Sequence, residues 1–127
     1  DQTNASVPVN TTLDVDGGIS FRPLGTGASP ATTSVTSSPQ TITVGDASYI
    51  LLTASSAQTG LLFSTAGGAA SQGQILIVSV ANGSSTISLG TTNMHIPLAG
   101  VTLSANQAAT FIFDGTSWIM TSYSNNS

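Results

Sequence analysis

"VSVANGSSTISL" (Val78–Leu89) sets two alternating apolar runs on either side of Asn82-Gly83. Asn-Gly is the strongest two-residue hairpin signal, because both turn positions need positive φ and these residues tolerate it. Pairing Ala81 with Ser84 opposes Val80 with Ser85, Val78 with Ile87 and Leu76 with Leu89. One face then collects Leu76, Val78, Val80, Ile87 and Leu89. The other carries Ser79, Thr86 and Ser88 together with Ile75 and Ile77. The stretch predicts an antiparallel hairpin, and with it an antiparallel sheet.

Further along, "FIFDGTSWIM" (111–120) reads the same way. With Asp114-Gly115 as the turn, Phe113 opposes Thr116, Phe111 opposes Trp118 and Ala109 opposes Met120. Phe111, Phe113, Trp118 and Met120 share one face, and Ile112 and Ile119 lie on the reverse. Both faces carry large apolar groups, so the sheet is expected to be covered twice. The sandwich partner covers one side and another subunit the other, with Ile112 and Ile119 as contact residues. "VGDA" (44–47) is a third candidate hairpin turn, with Gly45 in the first position of a type II′ turn.

Other strand-like runs are "TITV" (41–44), "SYILLT" (48–53), "TGLLFS" (59–64), a piece near "MHI" (94–96) and "VTL" (101–103). The spacing predicts an all-β fold, an antiparallel β-sandwich of jelly-roll type with about eight strands. Frequent β-branched residues and glycine, with no long 3.6-residue period, disfavour helix. Residues 1–40 have a different texture, rich in Pro, Ser and Thr, with Pro8, Pro23, Pro30 and Pro39. They are expected to form an extended arm with at most two short strands, leaving 41–127 as the body.

The 127 residues suffice for one domain with a sizeable core. Only 5% of residues are charged, against about 25% in an ordinary soluble domain. There is no lysine, glutamate or cysteine. The acids are Asp1, Asp14, Asp16, Asp46 and Asp114, joined by one arginine (Arg22) and one histidine (His95). With 39% hydrophobic residues in regularly spaced runs, the chain is not of disordered composition. A chain this apolar and uncharged is expected to stay organised by permanent assembly, which covers edges and apolar patches. A net charge of −4 without a basic cluster argues against nucleic acid. No apolar run approaches the roughly twenty residues that span a bilayer. No signal-peptide pattern opens the chain, and a start at Asp1 rather than Met is expected of a processed or truncated chain.

Chemistry has few residues to work with. His95 is the only imidazole available to a nucleophilic triad, and no nucleophile-elbow motif accompanies it. Asp14 and Asp16 in "LDVDGG" alternate onto one strand face, but a twelve-residue calcium loop through them would put Pro23 where glutamate is required. Asp46 and Asp114 sit in tight turns, where aspartate caps local N–H groups. Sequons at Asn4, Asn10, Asn82 and Asn125 arise easily in so Ser/Thr-rich a chain. Tyr49, Trp118 and Tyr123 are candidates to stack on sugar rings, although Trp118 reads first as core or interface. No catalytic residue, cofactor or metal site is expected.

Taken in order, "TITVGDASYILLT", "GQILIVSVANGSSTISLG" and "LAGVTLSANQAATFIFDGTSWIMTS" resemble a module of phage surface proteins, found in fibre tips, spikes and capsid decoration proteins. Gly73, Asn82, Gly83, Val101, Leu103, Phe111, Asp114, Gly115, Thr116 and Trp118 match its pattern, over residues 41–122. The resemblance implies a trimeric, jelly-roll-like, non-catalytic β-sandwich on the outside of a virion. Without shaft repeats or heptads, the chain suits a capsid decoration (cement) protein whose partners are its own copies and the major capsid protein or another virion protein. The arm's "GISFRP", with Phe21 as anchor and Arg22 as sole cation, is the expected contact with the capsid. The alternatives are a receptor-binding fibre tip or spike engaging host glycans and, more remotely, a secreted carbohydrate-binding module.

Overall fold

Alternating burial marks the strands Tyr49–Thr53, Ile75–Val80 and Ala108–Phe113 among the described residues. The computed structural model describes residues 23–24, 31–65, 70–124 and 126. Its strands are β1 (Thr33–Ser34), β2 (Gln40–Ile42), β3 (Tyr49–Thr53), β4 (Gln58–Phe63), β5 (Ile75–Val80), β6 (Ile87–Leu89), β7 (Met94–His95), β8 (Thr102–Leu103), β9 (Ala108–Phe113) and β10 (Trp118–Ser124). Among the described residues there is no helix. Each strand run expected from the sequence is present, and the fold is all-β with two sheets.

The connectivity departs from a jelly roll. One sheet has the order β1-β3-β5-β9-β10-β7 and the other β2-β4-β6-β8. β1, β3 and β5 are parallel neighbours, as are β2, β4 and β6. From β1 to β9 the chain therefore changes sheet at each step, and its first six strands wind three stacked rungs in a β-solenoid-like way. β8 then closes one sheet antiparallel to β6, and β9 closes the other antiparallel to β5. The β9–β10 hairpin and a parallel β10–β7 pairing complete the larger sheet. Five of the eight ladders are parallel, so the expected antiparallel sandwich is corrected.

Two of the three expected hairpins are likewise corners. Asn82-Gly83 does make a tight turn, with the Ser84 N–H donating to Ala81 O at 3.2 Å and Gly83 at φ 78°. However, β5 already has β3 on one edge and β9 on the other, so β6 has no free edge of β5 to join. The turn instead carries the chain across the core, and Val78 and Ile87 face it from opposite sheets, both fully buried. "VGDA" is also a corner, between β2 and β3 in different sheets, with Gly45 at φ 57°.

The third hairpin is real, with a shifted register. Trp118 pairs with Phe113, Ile119 with Ile112 and Met120 with Phe111. The loop therefore holds four residues, 114–117, rather than two, and the Asp114 N–H donates to Ser117 O at 3.1 Å. A slip of two residues preserves sidedness. Phe111, Phe113 and Trp118 still share the core face, and Ile112 and Ile119 still lie opposite it.

Trp118 is fully buried and donates its indole N–H to Ser64 O at 3.1 Å. Its ring lies 5.0 Å from Phe113 and 6.4 Å from Phe63, which packs edge-on to Phe111 at 5.4 Å. This aromatic group joins the two sheets, Phe63 from the smaller and Phe111, Phe113 and Trp118 from the larger.

Three turns leading into strands share a Ser-x-x-Gln pattern that the sequence reading missed. The glutamine Oε1 accepts the serine N–H in Ser37–Gln40 (3.3 Å), Ser71–Gln74 (3.0 Å) and Ser104–Gln107 (2.8 Å). The amide nitrogen then reaches another segment. Gln40 donates to Ser34 O at 3.1 Å, and Gln74 donates to Gly45 O at 3.0 Å and Ala47 O at 2.7 Å.

The expected arm over 1–40 is described only in part. Residues 31–40 carry β1 and open β2, and Val35 is buried in the core. Pro23 bridges to Tyr49, and the Leu24 N–H donates to Tyr49 O at 2.7 Å. Phe21 and Arg22 lie outside the described residues.

Two outcomes test this architecture. Ser34 and Thr53 are direct partners on parallel strands, with their hydroxyl oxygens 3.3 Å apart. The double variant Ser34→Cys/Thr53→Cys is expected to oxidise to an intramolecular disulfide and gain about 3 kcal/mol in denaturant unfolding. Gln74→Glu keeps the acceptor for Ser71 but turns a carboxylate toward two carbonyl oxygens. It is expected to lose about 1–3 kcal/mol at neutral pH. The introduced group's folded pKa is raised, so that stability returns as the pH falls through the carboxyl range, which a thermal-melt pH series reads directly.

Candidate functional site: the outer face of the larger sheet

In a strand, the residues between the core-facing ones point the other way. On the larger sheet those are Tyr49, Leu51 and Thr53 of β3, Ile75, Ile77 and Ser79 of β5, and Ala108, Thr110 and Ile112 of β9. Register then aligns them into rows. Ile75, Ile112 and Ile119 stand abreast on β5, β9 and β10, with His95 next on β7. Tyr49, Ile77 and Thr110 form a second row, and Leu51, Ser79 and Ala108 a third.

Ile112 and Ile119 are half-buried and Ile75 is 44% exposed. The Tyr49 hydroxyl lies 2.6 Å from the Ser79 hydroxyl, so the polar groups here are partly satisfied by one another. Of the described acids, Asp46 occupies the corner after β2 and Asp114 the loop after β9. The face is a continuous apolar strip edged by hydroxyls, with His95 as its one imidazole.

The structure thus brings Ile112 and Ile119 together as direct cross-strand partners and adds Ile75, which the sequence reading had placed only on a partly apolar face. It does not bring the three sugar-stacking candidates together. Trp118 is enclosed in the core, Tyr49 is half-buried in the second row, and Tyr123 is 49% exposed near the end of β10. Asn82 is exposed at its corner, while Asn4, Asn10, Asn125, Asp14 and Asp16 lie outside the described residues. His95 is exposed on β7, at the end of the isoleucine row. Among the described residues, no group of three or more His, Cys, Asp or Glu is placed to hold a metal ion, and no helix is long and apolar enough to cross a membrane.

Asp114 is held by three short hydrogen bonds. Its Oδ1 accepts the Ser117 N–H at 2.7 Å, the Thr116 N–H at 2.8 Å and the Thr116 hydroxyl at 2.9 Å. The two backbone N–H groups, Ser117 first, then the Thr116 hydroxyl, and last the charge of His95 hold its carboxyl below the ordinary 3.8. These bonds organise the loop. The acid caps a turn.

No protein-family model, curated protein or solved structure matches the chain.

A depressed folded pKa contributes stability that is present above the ordinary carboxyl value and is lost as the pH falls through the folded one. Asp114→Asn keeps the acceptor oxygen and removes the charge. Its melting temperature is expected to fall below that of the wild type at neutral pH, and the difference is expected to close as the pH drops below 3.8. A gap that persisted unchanged into strong acid would show that the charge is not what the loop uses.

Proposed function

We propose that this chain is a non-catalytic structural module of a virion surface, associating with copies of itself through the outer face of its larger sheet. The observation that carries the reading is the row Ile75–Ile112–Ile119, backed by Ile77 and Leu51, with no carboxylate among the described residues of the face. Apolar area of this kind gains roughly 25 cal/mol per Å² when removed from water. The near absence of charge supports the same reading, since little on the face opposes close approach of a second copy. The virion context rests on the phage-module resemblance of residues 41–122. It makes a homotrimer the expected assembly, and the major capsid protein or another virion protein the expected neighbour.

A second reading, the receptor-binding tip or spike of a fibre, is favoured by one observation. β1 and β2 are edge strands of a rung stack, and stacked rungs can be continued by strand pairing onto a further segment or partner.

Native mass spectrometry at micromolar concentration tests the self-association. The wild type is expected to be a trimer, and the double variant Ile112→Asp/Ile119→Asp a monomer with an unchanged far-UV circular dichroism spectrum. A monomeric wild type would overturn the assembly. Proteomics and cryo-electron microscopy of the parent particle separate the contexts. Density on the capsid exterior is expected, density at a tail end would favour the fibre reading, and absence from any particle would remove both.

A further inference from the structure

Where successive rungs turn from the larger sheet toward the smaller one, their corners stack. Residues 34–36, 53–55 and 82–84 lie one above another and enclose a groove of about 320 Å³. Backbone hydrogen bonds fix the stack. The Val35 N–H donates to Thr53 O at 2.8 Å, and the Ser85 N–H to Ala54 O at 2.8 Å. The Ser84 hydroxyl accepts the Ala54 N–H at 2.8 Å. With neighbouring strands roughly 4.8 Å apart, two steps make a groove about 10 Å long.

The groove's polar lining is Ser34, Thr36, Thr53, Ser55, Asn82 and Ser84. Val35 and Ala54 are buried beneath it. Some of the lining is committed to the fold, namely the Ser34–Thr53 hydroxyl pair and Ser84. The rest is not. Among the described residues, no hydrogen bond engages the Thr36 hydroxyl, the Ser55 hydroxyl or the Asn82 amide nitrogen, and all three residues are exposed. Gly83, at φ 78°, leaves open space beside them, since a Cβ there would meet nothing within 4 Å.

These features define a ligand chemistry. A volume near the lower bound of ligand pockets, roughly 300 Å³, suits a small or short ligand. An apolar molecule would cover the unpaired donors without replacing their water, at a cost of about 1–3 kcal/mol each. No ionisable side chain lines the groove, so a phosphate, carboxylate or amine would lose hydration without gaining a counter-charge. A neutral molecule with many hydroxyls, repeated along a direction parallel to the stack, meets both conditions. We propose that the stacked corners form a binding groove for a short neutral oligosaccharide, held by Thr36, Ser55 and Asn82.

A printed array of neutral plant, bacterial and animal oligosaccharides, followed by amide-shift titration with the best trisaccharide, tests this. The shifts are expected to centre on 34–36, 53–55 and 82–84. The triple variant Thr36→Val/Ser55→Ala/Asn82→Ala removes the three free groups and, besides them, only the exposed 3.4 Å bond from Asn106 Nδ2 to Asn82 Oδ1. It leaves the Val35, Ala54 and Ser85 N–H bonds that fix the stack. It is expected to melt like the wild type and to bind at least tenfold more weakly. Tyr123→Ala, outside the groove, is expected to bind normally. Running the titration also on Ile112→Asp/Ile119→Asp separates this site from self-association, because a monomer is expected to bind equally well. An array without neutral-glycan binders, unchanged affinity in the triple variant, or loss of binding in Tyr123→Ala would overturn the proposal.

Discussion

Saturation of both edges of β5 organises the rest of the molecule. On one side its residues pair in parallel with β3, Ile77 to Tyr49 and Val80 to Leu52. On the other they pair antiparallel with β9, Ile75 to Ile112 and Ser79 to Ala108. A strand whose backbone donors and acceptors are already matched on both sides offers nothing to a third. The segment leaving Val80 must therefore find partners elsewhere, and it finds them below. The Ala81 N–H donates to Leu52 O at 2.9 Å, and the Ser85 N–H to Ala54 O. Each corner is templated by the one beneath it. The pattern propagates as in repeat architectures, where every unit rests on its neighbour.

That templating needs directional groups at the turns, and here glutamine supplies them. A Ser-x-x-Gln turn binds its own first N–H with Oε1 and keeps two amide hydrogens for another segment. At Gln74 those hydrogens reach both carbonyls of the Gly45–Ala47 corner, joining the entry of β5 to the turn before β3. A glutamate could not do this, because a carboxylate only accepts. In a body whose described acids are two aspartates, neutral side chains carry the polar bridges between rungs, and no buried side-chain polar atom among the described residues is left without a partner.

The strands were legible because alternation is local. "YILLT", "ILIVSV" and "AATFIF" declare their buried faces by period-two burial, and the structure follows them residue by residue. Connectivity was not legible because Asn-Gly specifies a sharp turn, not the identity of the sheet that receives the next strand. A hairpin and a corner both place Leu76, Val78, Val80, Ile87 and Leu89 in the core, so the apolar pattern cannot choose between them. Only the competition of β3 and β9 for the edges of β5 decides it, and that is a long-range fact. The isoleucine face survived for a related reason. The 114–117 loop moved the register of Trp118, Ile119 and Met120 by two residues, which changes their partners and not their sides, and the bulge that follows lies beyond them, between Met120 and Ser122. The corner groove was invisible because it joins three segments separated by whole rungs.

Low charge completes the physical picture. Ordinary soluble domains keep their sheet edges and faces apart with lysine and glutamate, and this chain contains neither. Its described body faces water with hydroxyls, amides and a strip of isoleucines, a surface that repels neither a second copy nor an uncharged partner. Ion pairs would have made association sensitive to salt. Apolar rows and hydroxyl-lined grooves do not, and they bind by shape and by matched hydrogen bonds. Among the described residues that composition leaves one histidine and two aspartates, of which Asp114 caps the 114–117 loop. The isoleucine row and the stacked corners lie apart, Ile75 at the start of β5 and residues 82–84 beyond its end. The strip offers apolar area to be covered, while at the corner Thr36, Ser55 and Asn82 still have hydrogen bonds to give.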